Sequence, residues 1–376
     1  MCLRIFGTSE LAVRLPAAIA ALFTCVGILL FATHFLKSYW IGMLTVLILV
    51  TSGGYIDLHV TRTGDYESLL VLNTTMYALF FFIFMETNKP GFFYLTIIFL
   101  ILAALTKGVA ALLFLPALLL YVLLKRKLLQ LLKNPHLYAG IFLFIVFVGG
   151  YYLLREHFNP GYLDAIVENE LGGRYLQTLE GHLHPYLIYF FNLTDIHFSP
   201  WYLFVPVGLL FGIFHTQVVI RNLSLYSALL LVVYFFTISG AQTRIFWYDA
   251  PMFPFLSLLA AIFFWYWFDY FSNTKTFTHQ LQKNIIPAAF VFLVFMIPYS
   301  KIIDKVYKPK ELEGVEEYSF MRHLQKGLQG IEDLNNYLVC YGAGKTPAIF
   351  YVQDKGVKID FADYKKLSAG NIAMAF

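Results

Sequence analysis

The chain has 376 residues, 59% of them hydrophobic and only 13% charged, with a mean hydropathy of +0.67. Soluble domains carry about 25% charged residues, so this composition excludes a soluble globular protein and points to a polytopic membrane protein. The net charge of +4 sits in a few loops, and no basic face with interleaved base-stacking aromatics is present, so nucleic acid is excluded as a partner.

A membrane span needs roughly 20 apolar residues. Ten stretches qualify: 11–33, 40–57, 66–85, 91–107, 108–125, 137–154, 200–216, 223–240, 250–270 and 285–301. The pair around Lys107 reads as a tight hairpin. The first stretch is too long for a signal peptide and lacks a small-residue cleavage site. The 39 Phe and 26 Tyr suit lipid contact and interfacial belts.

Loop charge orients the spans. One set of alternate loops holds Lys37, Lys89, Lys125, Arg126, Lys127, Lys133, Arg221, Lys275 and Lys283. The opposite set holds Arg4, Arg62, Lys107, Arg155, Arg174 and Arg244. The dense Lys125–Lys133 segment makes the first side cytoplasmic, which predicts a multi-pass protein of the plasma (inner) membrane with both termini outside. Acidic residues of the first 300 or so positions gather on the outer side, with Glu86 and Asp269 at the inner edge. Acids contribute little to topology, so this one-sidedness reads as chemistry.

Two outer pieces are long. Residues 155–199 form a polar loop with short helices expected at 161–170 and 184–193. From 302 onward the composition turns charged, with strands expected at Asn336–Tyr341 and Val357–Phe361 flanking an apolar helix at 346–353. The expected organisation is therefore a membrane domain, 1–301, and a small α/β appendage, 302–376. Cys2, Cys25 and Cys340 show no zinc-ligand spacing. Gly342-Ala343-Gly344-Lys345-Thr346 imitates the end of a phosphate-binding loop, but the required first glycine falls on Val339, so the segment reads as a turn.

Four outer segments carry candidate chemistry. In Arg62-Thr63-Gly64-Asp65-Tyr66-Glu67, a carboxylate can take a proton from a hydroxyl and the arginine can fork onto a phosphate. The same run also suits a helix start, with acids in its first turn. Both readings can hold together. Lys107, one cation in a long apolar stretch, either neutralises a lipid phosphate or snorkels from its turn. In the third segment, His182 and His184 follow Glu170 and Arg174; two histidines without an assigned third ligand more often pack or hydrogen-bond than hold a metal. The fourth, Thr243-Arg244-Ile245-Phe246-Trp247-Tyr248, is an aromatic belt or, with its arginine, a phosphate site.

Taken in order, these segments resemble the membrane glycosyltransferases that use polyprenyl- or dolichyl-phosphate sugars. They look most like glycosyltransferase family 39, with the protein O-mannosyltransferases and the bacterial aminoarabinose transferases of lipid A. The stretches that carry the resemblance are Phe6-Gly7-Thr8-Ser9-Glu10-Leu11-Ala12-Val13-Arg14-Leu15-Pro16, Arg62-Thr63-Gly64-Asp65, Leu105-Thr106-Lys107-Gly108, and Thr243 to Tyr248 with Pro251 and Pro254. The resemblance implies an all-α, GT-C-like core of about ten transmembrane helices with its active face extracytoplasmic. It places Asp65 at an acidic position of the active site, as base or as the residue that orients the acceptor; the residues themselves add Glu67 as a second catalytic carboxylate and give a substrate-binding set of Arg62, Lys107, Arg174, His184, Arg244 and Tyr248. Lys107 and Arg244 fall where the family binds lipid phosphate, although lysine is commoner at the second place and arginine differs in donor geometry. The implied partners are a polyprenyl-phosphate-linked sugar, an acceptor protein, lipid or glycan, and membrane lipid, with no metal and no cofactor. Family members usually begin with one more span and an outer loop bearing an Asp-Glu pair. Met1 stands just after the place where that loop ends, so a truncated chain is expected. The competing functions are a flippase for lipid-linked glycans, which predicts internal repeats, and an inactive remnant of the transferase.

Overall fold

The structure, a computed structural model, describes residues 2–7, 10–57, 59–168, 174–176, 178, 184–273, 280–307, 337–340, 360–362 and 372–374. Its helices begin with α1 (Cys2–Phe6), α2 (Glu10–His34), α3 (Tyr39–Val50), α4 (Glu67–Thr87), α5 (Pro90–Lys107), α6 (Leu115–Leu124) and α7 (Leu128–Leu132). Next come α8 (Pro135–Phe144), α9 (Gly150–Phe158), α10 (Tyr162–Ile166), α11 (Arg174–Leu176) and α12 (Ile188–Asn192). The last are α13 (Phe204–Ile213), α14 (Val218–Gly240), α15 (Phe253–Asn273) and α16 (Gln280–Tyr307). The chain divides into two compact units, one of Arg14–Ile302 and one of Met1–Val13 with Ile303–Phe376.

Among the described residues, six helical segments are long and apolar enough to cross a membrane: Leu11–His34, Glu67–Thr87, Pro90–Leu112, Pro135–Phe158, Val218–Gly240 and Phe246–Tyr270. Ile188–His197 and Trp201–Ile213 meet at 117° and make a seventh if counted as one broken span. The chain is a multi-pass membrane protein with a helical core. Two more of the ten expected stretches hold shorter apolar helices. Stretch 40–57 gives only the 12-residue α3, which ends at Thr51 ahead of Gly53 and Gly54. Stretch 108–125 is cut by the 3-10 turn Gly108–Leu112, leaving the 10-residue α6.

Sequence signals account for most helix ends. Ser38 caps α3, its hydroxyl accepting from Ile41 N at 3.4 Å. Asn88, left-handed at φ 55°, ends α4, and Pro90 opens α5 two residues later. Helix α4 is the spine of the larger unit. Leu70, Val71, Tyr77, Phe82 and Met85 are all buried, and so are Glu67, Asn73 and Thr74. It packs against α5, while α15 packs against both α3 and α13. Gly208 of α13 permits that last approach, since a Cβ there would overlap the Leu259 carbonyl oxygen of α15.

Three tyrosines have a role beyond the belt that composition suggests. Tyr77, Tyr226 and Tyr234 are buried between helices, and each hydroxyl donates to a distant carbonyl. The acceptors are Ala111 at 2.9 Å, Ala78 at 2.8 Å and Tyr248 at 3.0 Å. In a bilayer every polar atom needs an internal partner, so a large aromatic ring with one polar tip becomes an interhelical cross-link. Each such bond contributes about 0.6 kcal/mol, by analogy with measured membrane cases.

In the smaller unit, β1 (Tyr337–Cys340) lies between β2 (Asp360–Ala362) and β3 (Ile372–Met374) in a parallel sheet. Leu338 aligns with Asp360 and Tyr337 with Ile372. The first two strands overlap the expected ones. The helix expected at 346–353 and the loop-like segment 342–346 lie outside the described residues.

Candidate active site

The site begins with a helical hairpin. At about 1.5 Å per residue, arms of similar length return to the same height, so the first residue of α4 meets the last of α5. The Glu67 carboxylate pairs with the Lys107 ammonium, although the two residues are 40 apart in the chain. Glu67 is only 2% exposed and Lys107 19%. Gly108, at φ +47°, turns the chain immediately after the lysine. The ammonium also lies 4.8 Å from the centre of the Tyr248 ring and 5.7 Å from that of Tyr66. It is a cation held by one buried carboxylate and two aromatic faces.

Tyr248 arrives on the 3-10 segment Phe246–Met252, which leads into α15. With three residues per turn, successive side chains of such a helix point about 120° apart. Three consecutive residues therefore address three different neighbours. Trp247 stacks on the His59 ring, centroids 3.7 Å apart and planes within 20°. His59 Nδ1 in turn lies 3.1 Å from Asp65 Oδ2, while Asp65 Oδ1 accepts from Tyr66 N at 2.8 Å. Tyr248 faces Lys107, with its carbonyl held by the Tyr234 hydroxyl. Asp249, fully buried, sets Oδ2 2.7 Å from His197 Nδ1.

Arg244 forms a second centre. Its Nε donates to Ser239 O at 2.9 Å and its Nη1 donates to His184 O, with the guanidinium 5.9 Å from the Tyr186 ring. The His184 ring rests 4.7 Å from Phe246. The arginine therefore clamps the 184–186 strip to the end of α14 through backbone carbonyls. That use of its donors is more structural than a phosphate fork. Arg62 sits in the turn before Asp65, its amide donating to Asp57 O at 3.2 Å. Arg174 opens α11, and its side chain lies outside the described residues, as do Glu170 and His182. Among the described residues no group of three or more His, Cys, Asp or Glu is arranged to hold a metal ion.

The residues singled out from sequence thus fall into separate groups. Lys107 touches both Glu67 and Tyr248; Asp65 is linked through His59 to Trp247, the residue before Tyr248; Arg244 and His184 form their own contact. Sequence reasoning missed His59, His197, Trp247 as a stacking partner and Asp249 as a buried acid. Only Asp249 carried a signal, as a charge inside the mouth of an apolar span.

A family model described as dolichyl-phosphate-mannose-protein mannosyltransferase matches residues 1–152. Among solved structures, the chain is similar to ArnT from Cupriavidus metallidurans bound to undecaprenyl phosphate, at a TM-score of 0.68 and 16% identity, covering 95% of this chain and 73% of that one. The apo state of the same protein gives 0.67 and 15% over the same shares. This is a GT-C fold. No curated protein matches the sequence. The chain resembles the membrane glycosyltransferases in sequence over its first 152 residues and in fold over nearly its whole length.

Proposed function

We propose that this protein is a membrane glycosyltransferase that moves one sugar from a polyprenyl-phosphate carrier to an acceptor on a protein, a lipid or a glycan. The observation that carries the reading is the Lys107 ammonium, partly exposed between Glu67, Tyr248 and Tyr66 at the head of the α4–α5 hairpin. An ammonium offers three donors, and a single carboxylate with two ring faces leaves it able to receive a phosphate oxygen. The match to a mannosyltransferase family model and the fold shared with an undecaprenyl-phosphate-bound protein support the lipid phosphate as that anion.

In this reading the acceptor oxygen attacks the anomeric carbon from the side opposite the carrier. The new C–O bond forms as the bond to the carrier phosphate breaks, and the configuration inverts. The electron pair leaves on the polyprenyl phosphate, where Lys107 stabilises the growing charge. The acceptor proton passes to Asp65, whose Oδ2 is oriented by His59. Glu67 holds Lys107 in place, and Arg62 lies close enough in sequence to Asp65 to add charge on the same side. Arg174, His184 and Arg244 shape the outer wall for sugar or acceptor. The active face and both termini are extracytoplasmic, as loop charge indicates, and 302–376 is an outer appendage to the membrane domain.

The test is sugar transfer by the protein reconstituted in lipid nanodiscs with polyprenyl-phosphate sugars. Asp65→Asn is expected to lower turnover by about 10²-fold, within the range for a general base. Wild-type turnover in that variant would remove Asp65 from the mechanism.

A further inference from the structure

One buried charged contact has no part in the chemistry above. Asp249 is fully buried, and its Oδ1 has no hydrogen-bond partner among the described residues. Its other oxygen rests on His197 Nδ1 at 2.7 Å. Burying a half-satisfied carboxylate is costly, so the surrounding packing must hold it there.

The two residues join separate walls of the site. Asp249 directly follows Tyr248, the ring against Lys107. His197 ends the 193–197 turn, and its carbonyl accepts from Gly54 N at 2.8 Å. A Cβ on Gly54 would lie 2.7 Å from His197 Cβ and 2.5 Å from Phe253 Cζ. The close backbone approach therefore needs glycine, and it pins His197 against the turn that leads to Arg62 and Asp65. With its backbone fixed to that turn and its imidazole to Asp249, His197 sets how far the 3-10 segment can rotate. Rotation of that segment would carry the Tyr248 ring away from the ammonium.

We propose that the His197–Asp249 pair is a latch that holds Tyr248 against Lys107, making His197 a positioning residue for binding the donor's lipid phosphate. This rests on the reading that Lys107 receives that phosphate. Trp247 of the same segment meets His59 and, through it, Asp65, so binding of the carrier, which involves no proton transfer, is the readout that isolates the Lys107 side.

The experiment is equilibrium binding of undecaprenyl phosphate to the full chain in nanodiscs, with unfolding temperatures measured in parallel. Wild type should bind, and Lys107→Met should lose binding. His197→Phe, which keeps bulk but no donor, should weaken binding about tenfold. His197→Asn, whose amide can donate to Asp249 from nearly the same place, should recover to within threefold of wild type. Asp249→Asn, close to isosteric and gentle on folding, should weaken binding about fivefold. Wild-type affinity in either His197→Phe or Asp249→Asn overturns the latch and leaves the Lys107 reading standing. Equal losses in the Phe and Asn variants that follow their unfolding temperatures also overturn it, since a merely structural role gives no rescue. Failure of the wild type to bind overturns both.

Discussion

Glu67 and Glu86 stand near opposite ends of α4, both withdrawn from solvent, and they are satisfied in opposite ways. Glu86 is tied by neutral donors: the Tyr121 hydroxyl at 2.9 Å and the Asn222 amide at 3.1 and 3.0 Å from its two oxygens. The Lys125 ammonium stands farther off at 3.7 Å, and desolvation holds it below the usual lysine range. These contacts bind α4, α6 and α14 together and saturate the carboxylate. Glu67 relies instead on the Lys107 ammonium, whose other neighbours include two aromatic rings. A saturated, part-buried acid is a structural joint, whereas a cation with one carboxylate and two π faces is still able to take an anion.

Three measurements would break or sharpen this contrast. The largest effect belongs to Lys107→Met, which should cut sugar transfer by about 10²–10³-fold, the scale for losing one preorganised electrostatic donor. Transfer in nanodiscs checks this, and an equal loss in Glu86→Gln would erase the distinction between the two ends. Next, Glu86→Leu strands the Asn222 amide and should cost about 1–3 kcal/mol of stability. Transfer per folded molecule should stay within twofold, which denaturant or thermal unfolding beside the activity assay would reveal. The smallest effect is expected from Trp247→Phe, which retains a ring against His59 and should lower turnover only about threefold. Trp247→Ala, which loses the stacked face, should lower it about tenfold, corresponding to about 1.4 kcal/mol. Identical behaviour of the two variants would show that the His59 stack does not orient Asp65.

Much of the scaffold was legible beforehand. Apolar length located the six segments able to span a membrane, whereas the turn at Asn88 and Pro90 that joins α4 to α5 emerged only from the structure. Polar residues at the mouths of apolar runs located Asp65, Glu67, Lys107 and Tyr248, because charge is expensive there and retained for a reason. At 40–57 and 108–125 a hydropathy window averages over the breaks at Gly53, Gly54 and Gly108, so the helices there are shorter than the apolar stretches. The cross-linking role of Tyr77, Tyr226 and Tyr234 was hidden for a related reason: composition records how apolar a ring is, not which carbonyl its hydroxyl can reach.

What the sequence determined by itself was local: helix limits, the membrane-spanning character, and the set of charged residues kept at the span mouths. Tertiary structure decided the pairings. Glu67 meets Lys107 across 40 residues, His197 meets Asp249 across 52, and Glu86 meets Asn222 across 136. Such separations are bridged only when helices of particular length and rotation pack together. Whether a buried acid becomes a joint or part of a site depends on how many donors that packing brings within reach, which no local pattern encodes.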